Sequence, residues 1–349
     1  MRPLIDKLRQ ERTLPLHELR ALLRGIRDDD TLDYLTRQAR QVATTRFGNA
    51  IYIRGLIEVS SYCHNNCLYC GIRKDNMRAE RYRLSKEQIL ACCREGHTLG
   101  FRTFVLQGGE DPAQTDSWVE DTVRAIREEF PENAITLSLG EKSRESYQRF
   151  FQAGANRYLL RHETRDPDHY ASLHPQEMSL KRRLRCLDDL KAIGYQTGTG
   201  FMVGSRGQTI AHLVQDILYI KELRPEMIGI GPFLPHRDTP LALCPAGTIE
   251  QTLALIAIFR LMRPDALIPS TTALATLDPD GRERGILAGA NVVMPNLSPA
   301  DDRRKYELYD RKAALGAESA EGLDTLRTRL RAIGYDISFE KGDYNELPT

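Results

Sequence analysis

The spacing of apolar residues changes near residue 50. Before it, LHELRALLRG (16–25) and TLDYLTRQARQVATTRFG (31–48) place leucines and aromatics at helical intervals, which predicts two helices. Asp30 or Thr31 is positioned to cap the second helix, and Gly48 to end it. After residue 50, short apolar runs alternate with amphipathic ones. The apolar runs at 51–60, 102–107, 134–140, 156–163, 196–204, 227–232, 266–272 and 291–295 read as strands. Helical patterns fill 85–100, 117–130, 143–154, a stretch up to Gly194, 209–223, 248–262, 281–289 and 322–334.

Eight strands, each followed by a helix or helical turn, predict an α/β chain folded as a (β/α)8 TIM barrel. Its parts are an N-terminal helical extension (1–50), the barrel (51–300) and a C-terminal extension with a helix (301–349). An open doubly wound sheet is the alternative. The strand count and the lack of G-x-G-x-x-G after the first strand favour the barrel.

Chemistry in such a barrel sits at the C-terminal strand ends. Those ends carry Cys63, Cys67 and Cys70, then Gln107-Gly108-Gly109-Glu110, Ser138, and Arg161-His162-Glu163. Later ends carry Met202, Gly204, His236, Thr271-Thr272 and Asn296. So many polar ends imply a wide mouth around a polar, small-molecule ligand. Arg161 and Glu163 share one side of their strand, and His162 points the other way as a structural residue.

Composition narrows the class. Of 349 residues, 41% are hydrophobic and 28% charged, which excludes a disordered chain. Lys+Arg of 49 against Asp+Glu of 48 gives a net charge of +1, which argues against nucleic acid as partner. No run approaches the ~20 apolar residues of a membrane span. The charged start MRPLIDKLRQERTLPLHELR lacks a signal-peptide core, so a cytoplasmic location is expected. Seven cysteines, an odd number, point to ligands or free thiols rather than disulfides. Cys92 and Cys93 fall in a helical pattern and read as core or surface thiols, Cys186 reads as a core thiol, and Cys244 has no partner at ligand spacing.

The sharpest signal is C-H-N-N-C-L-Y-C at 63–70, directly after the first barrel strand. A structural zinc site wants four closed ligands, and His64 is awkwardly placed to be the fourth. An iron–sulfur cluster normally takes four cysteines, so three leave one iron open to bind something else. The open-iron cluster is the favoured reading, with a zinc-binding, non-catalytic barrel as the alternative.

This C-x-x-x-C-x-x-C spacing resembles the radical S-adenosylmethionine (SAM) superfamily, and Gly108-Gly109-Glu110 resembles its GGE motif. Further segments are similar to the HydE family of FeFe-hydrogenase maturases. They include RGLIEVSSYCHNNCLYCGIRKDN (54–76), VLQGGEDP (105–112), NRYLLRHET (156–164), MIGIGPFLPHRDTPLA (227–242) and GANVVMPNLSP (289–299). Methylornithine and biotin synthases are more distant relatives, and a mutase or synthase on an amino-acid-like substrate is the alternative activity.

The resemblance implies that Cys63, Cys67 and Cys70 ligate one 4Fe-4S cluster whose open iron chelates the methionine end of SAM. Reductive cleavage of SAM then gives a 5′-deoxyadenosyl radical. The resemblance places Tyr69, Gln107, Gly109, Ser138, Glu163 and Met202 against SAM, with Arg183 or its neighbour Arg182 on the SAM carboxylate. Arg161, Thr271, Thr272 and, more weakly, His236 are expected to face the substrate. The implied substrate is a small iron–cysteine complex with carbonyl and cyanide ligands, and other hydrogenase maturases are the implied partners. Many members carry C-terminal cysteines for a second cluster. Residues 308–330 hold none here, so one cluster is expected, with room for a paralogue on another substrate.

Overall fold

The structure is a computed structural model that describes residues 1–313 and 316–346. The strands are β1 (Ala50–Ile53), β2 (Gly55–Ser60), β3 (Thr103–Gly108), β4 (Ala134–Ser138), β5 (Arg157–Leu159), β6 (Gln196–Thr199), β7 (Met202–Val203), β8 (Met227–Ile228), β9 (Gly231–Pro232), β10 (Val292–Val293) and β11 (Asp336–Ser338). Six of them form a sheet in the order β2-β3-β4-β5-β6-β8, parallel at every pair. Helices Lys86–Thr98, Asp116–Glu129, Arg144–Ala153, Leu180–Ile193 and Ile210–Leu223 connect these strands. β2 is buried at all six residues, as expected for a parallel strand covered on both faces. Beyond β8, single parallel bridges link Met227 to Leu267, Pro269 to Val292 and Leu56 to Asn296, while β10 pairs with β1.

The departures from the expected elements have local causes. The run 196–204 is split into β6 and β7, and 227–232 into β8 and β9. The two breaks face each other at Gly200 and Gly229, where a Cβ on Gly200 would sit 2.0 Å from the Gly229 carbonyl oxygen. The run 156–163 is a strand only to Leu159 because Glu163 turns the backbone to a φ of 64°. The expected strand 266–272 makes only the two bridges. Proline at 269 has no N–H to donate, and helix Thr272–Leu277 begins at once.

The cap of the third helix, Asp29–Phe47, is Asp28 rather than Asp30 or Thr31: its carboxylate accepts from the Thr31 amide at 2.9 Å. Gly48 ends that helix at a φ of 61°. The helical stretch before Gly194 is two helices, Pro167–Leu173 and Leu180–Ile193.

Segments near both ends of the described chain pack against the sheet and its helices. Helix Ile249–Met262 is apolar nearly all round, so it must be covered. Leu8, Leu22 and Leu35 of the N-terminal helices do this, sharing one core with Ile217, Leu255 and Phe259. At the other end β11 adds beside β1 through Ile51 and Ile337. Parts of the expected C-terminal extension (314–315 and 347–349) lie outside the described residues. No helix of the described chain is long and apolar enough to cross a membrane.

Candidate active site

The cysteine loop leaves the end of β2 and is tied down mostly through its backbone. His64 N–H donates to the Glu110 carbonyl at 3.0 Å, Leu68 N–H to Leu173 at 2.9 Å, and Gly71 N–H to Leu308 at 2.8 Å. Arg81 gathers the carbonyls of Ser61, Ile72, Arg73 and Asn76, closing the loop on one guanidinium. Arg83 grips the buried Asp111 with two nitrogens, and Asp111 also accepts from Ser60 at 2.7 Å. Gly109 must be glycine: a Cβ there would lie 2.2 Å from the Tyr62 carbonyl oxygen and 2.7 Å from the Cys63 Cβ.

Cys63, Cys67 and Cys70 are free, half-buried thiols that line one cavity of about 350 Å³. Burial holds all three above the usual thiol range, with Cys70 pushed up to about 12. As neutral thiols they wait for a cation that displaces their protons. Among the described residues, His236, Glu307 and Asp310 are the ligand atoms that converge within 4.8 Å, and the three thiols are not such a set. Thiolates on one zinc ion would stand ~4 Å apart. The wider spread of three sulfurs suits the corners of an iron–sulfur cube and leaves one corner without a protein ligand.

The same cavity is lined by Tyr69, Gln107, Gly109, Ser138, Arg161, Glu163, Arg183, Met202, Thr271 and Thr272. The structure thus gathers residues from seven separate chain segments around the thiols. Of the two arginine candidates, Arg183 reaches the cavity. It is buried and donates Nε to Glu141 at 2.6 Å and Nη1 to the Arg161 carbonyl at 2.7 Å. Arg182 is exposed and binds the other oxygen of Glu141 from outside. Arg161 and Glu163 face each other at 3.1 Å. Arg161 Nε and Thr271 Oγ1 are buried without a hydrogen-bond partner among the described residues, whereas Arg161 Nη2 and Glu163 Oε2 have only each other. Such atoms mark where a polar ligand sits.

Tyr69 is fixed by a histidine that the sequence did not single out. Tyr69 Oη lies 3.2 Å from His174 Nε2, and His174 Nδ1 lies 2.9 Å from the Tyr170 carbonyl. The carbonyl can only accept, so Nδ1 carries the proton and Nε2 accepts from the tyrosine. Burial, reinforced by the Arg183 cation, holds the His174 imidazole down to about 3. Below its ordinary value near 6.5 the unfolded chain takes a proton that the folded chain refuses. Stability therefore falls as pH drops from about 6.5 towards 3. Denaturation of the metal-free protein across that window is expected to show a smaller fall for His174→Gln than for the unaltered chain.

Two histidines sort as follows. His162 is fully buried away from the cavity, against Thr199 and Asp216, in keeping with a structural role. His236 does not reach the cavity: it lies in a separate hollow beside Gly71, Arg237 and Glu307. The Asp238 amide donates to its Nδ1, and Nε2 turns towards Glu307 and Asp310, away from the expected wall.

Glu58, Tyr306, Tyr309 and Lys312 are among the cavity residues that were not anticipated. Lys312 pairs with the fully buried Glu58, whose other oxygen accepts from Asn296 at 2.8 Å. Glu58 stood in the sequence as one of two charges, with Arg54, in the apolar run IYIRGLIEVS. Lys312 comes from an irregular stretch with no pattern to betray it. Glu141, which holds both arginines, was also missed.

The geometry meets its relatives here. Residues 57–220 match the profile of the Radical SAM superfamily. The chain is 44% identical over 333 residues to the FeFe hydrogenase maturase subunit HydE of Thermotoga maritima, covering 95% of this chain and 94% of that one. It is 32% identical over 323 residues to 3-methylornithine synthase of Methanosarcina acetivorans, covering 91% and 89%. The crystal structure of methylornithine synthase superposes with a TM-score of 0.83 at 28% identity, over 96% of this chain and 97% of that one. The hydrogenase maturase HydG shares the fold, with a TM-score of 0.79 at 22% identity over 97% of this chain and 75% of that one. The chain is an enzyme of the radical SAM superfamily and belongs, within it, to the family of the hydrogenase maturase HydE.

Proposed function

We propose that this protein acts in FeFe-hydrogenase maturation as HydE does, with one 4Fe-4S cluster on Cys63, Cys67 and Cys70 and SAM beside it. The carrying observation is that three free thiols open onto one cavity that also holds the Arg161–Glu163 pair and the unpartnered Arg161 Nε and Thr271 Oγ1, in a chain 44% identical to HydE. When bound and reduced, the cluster supplies one electron to the SAM sulfonium and so yields the 5′-deoxyadenosyl radical. The protein binds, orients and excludes water. Arg183, immobilised by Glu141, offers its guanidinium to the SAM carboxylate. Ser138 and Glu163 meet the methionine and ribose portion, Tyr69 and Met202 flank the adenosyl group, and Gln107 and Gly109 leave room between them. Arg161, Thr271 and Thr272 take the substrate, a small polar complex whose anionic groups suit a guanidinium and hydroxyls.

The pairings support a closed (β/α)8 barrel. The order β2, β3, β4, β5, β6, β8 continues through Leu267–Pro269 to Val292, and Asn296 bridges back to Leu56. The remaining cysteines support a single cluster: Cys92, Cys93 and Cys186 are buried in the core, and Cys244 packs against the apolar group of Leu173, Met202, Phe233 and Leu241. Action in the cytoplasm beside the other maturases is part of this reading.

The test is substitution of this protein for HydE in a reconstituted hydrogenase-maturation reaction. Hydrogenase activity is expected to appear only with this protein and SAM present. SAM cleavage without any maturation would overturn the assignment and move the protein towards a mutase or synthase on an amino-acid-like substrate.

A further inference from the structure

We propose that His162 and Asp216 are positioning residues that hold Glu163 in place for SAM, an inference that rests on the reading of Glu163 above. Glu163 has a φ of 64°, a conformation L residues avoid. Arg12 and Arg224 share this conformation as helix C-caps, whereas Glu163 lies buried on the cavity wall. Such a conformation persists only where the surroundings over-determine it.

The surroundings here are specific. On one flank, the Thr199 hydroxyl accepts from the His162 amide at 3.2 Å and lies 2.9 Å from His162 Nδ1. Nε2 lies 3.3 Å from Asp216 Oδ1. The same oxygen accepts from the Arg165 amide on the other flank at 2.6 Å. Asp216 therefore reaches from helix Ile210–Leu223 to both sides of Glu163.

Asp216 is fully buried, and among the described residues it forms no ion pair with a lysine or arginine. A buried carboxylate without a cation is unfavourable in itself. What it offers over an apolar side chain is a hydrogen bond accepted from the Arg165 amide on one flank and a 3.3 Å polar contact with the His162 ring on the other. The middle of the turn is completed by the Glu163 amide, which donates to Gly200 at 3.1 Å, and by the Thr164 hydroxyl, 3.1 Å from His169 Nδ1.

A double-mutant cycle in the reconstituted holoenzyme tests this. Asp216→Asn, Glu163→Gln and the double variant are compared for the SAM KM, kcat for 5′-deoxyadenosine and iron per chain. Glu163→Gln is expected to raise the KM about tenfold, as loss of one charged hydrogen bond does. Asp216→Asn is expected to raise it by a similar factor with iron content unchanged, and the double variant to be no worse than Glu163→Gln. Independent, multiplying effects would overturn the proposal. An unchanged KM in Glu163→Gln would instead overturn the SAM role of Glu163. If Asp216→Asn fails to fold, Thr199→Val, which removes the hydroxyl from the His162 ring, runs through the same cycle. Effects that multiply with Glu163→Gln would again count against the clamp.

Discussion

Cys67→Ala is expected to abolish SAM cleavage while leaving the fold intact. The loop around Cys67 is held by backbone bonds and by Arg81, none of which uses its sulfur. Among the described residues the hydrogen-bonding contact of the thiol is with Met178 Sδ, 3.6 Å away, so alanine breaks no bond that ties the loop. The loss therefore falls on iron. Outer-shell changes at metal sites cost ~10–100-fold, and removing one of three ligands should exceed that. Iron per chain and 5′-deoxyadenosine yield should fall together, with the melting temperature of the metal-free protein unchanged. A variant that kept full iron and activity would remove Cys67 from the ligand set.

Lys312→Met is expected to have the largest effect on stability. Glu58 has no exposed side-chain surface, and Lys312 is its only cationic partner among the described residues. Removing the ammonium leaves a buried carboxylate answered only by Asn296. Breaking a buried pair in this way costs about 3–5 kcal/mol. Adding Glu58→Gln should recover most of the loss, because a neutral amide does not demand a counter-charge. Chemical denaturation of the three proteins measures this directly. Equal stability of Lys312→Met and the unaltered chain would show that Glu58 is satisfied without the lysine.

These cases show which parts of the site could be read in advance. The cysteine spacing, the glycine pair at 108–109 and the polar residues at strand ends follow from strand periodicity and from one loop motif, both local in sequence. Arg161, Glu163 and Thr271 were named by resemblance; alternation put Arg161 and Glu163 on one side of their strand, which the structure ends at Leu159. Arg183 was found by resemblance, but its choice over Arg182 needed the helix orientation that buries one and exposes the other. Lys312 and His174 were invisible because their roles arise from contacts across 254 and 105 residues. His236 was misplaced because the loop after β9 folds back towards Glu307 rather than into the cavity. The fold followed the same rule. Helices with clear periods were placed to within a few residues. Strands broken at Gly200, Gly229 and Pro269 needed the third dimension, since the breaks arise where two backbones approach.

The central claim is that Cys63, Cys67 and Cys70 hold a cluster whose open iron binds SAM. The most direct test is electron paramagnetic resonance of the anaerobically reconstituted, dithionite-reduced protein, with and without SAM, followed by assay of 5′-deoxyadenosine. The account predicts a cluster signal that shifts when SAM is added, and deoxyadenosine formed only in its presence. A full cluster whose spectrum ignores SAM, with no deoxyadenosine formed, would contradict it.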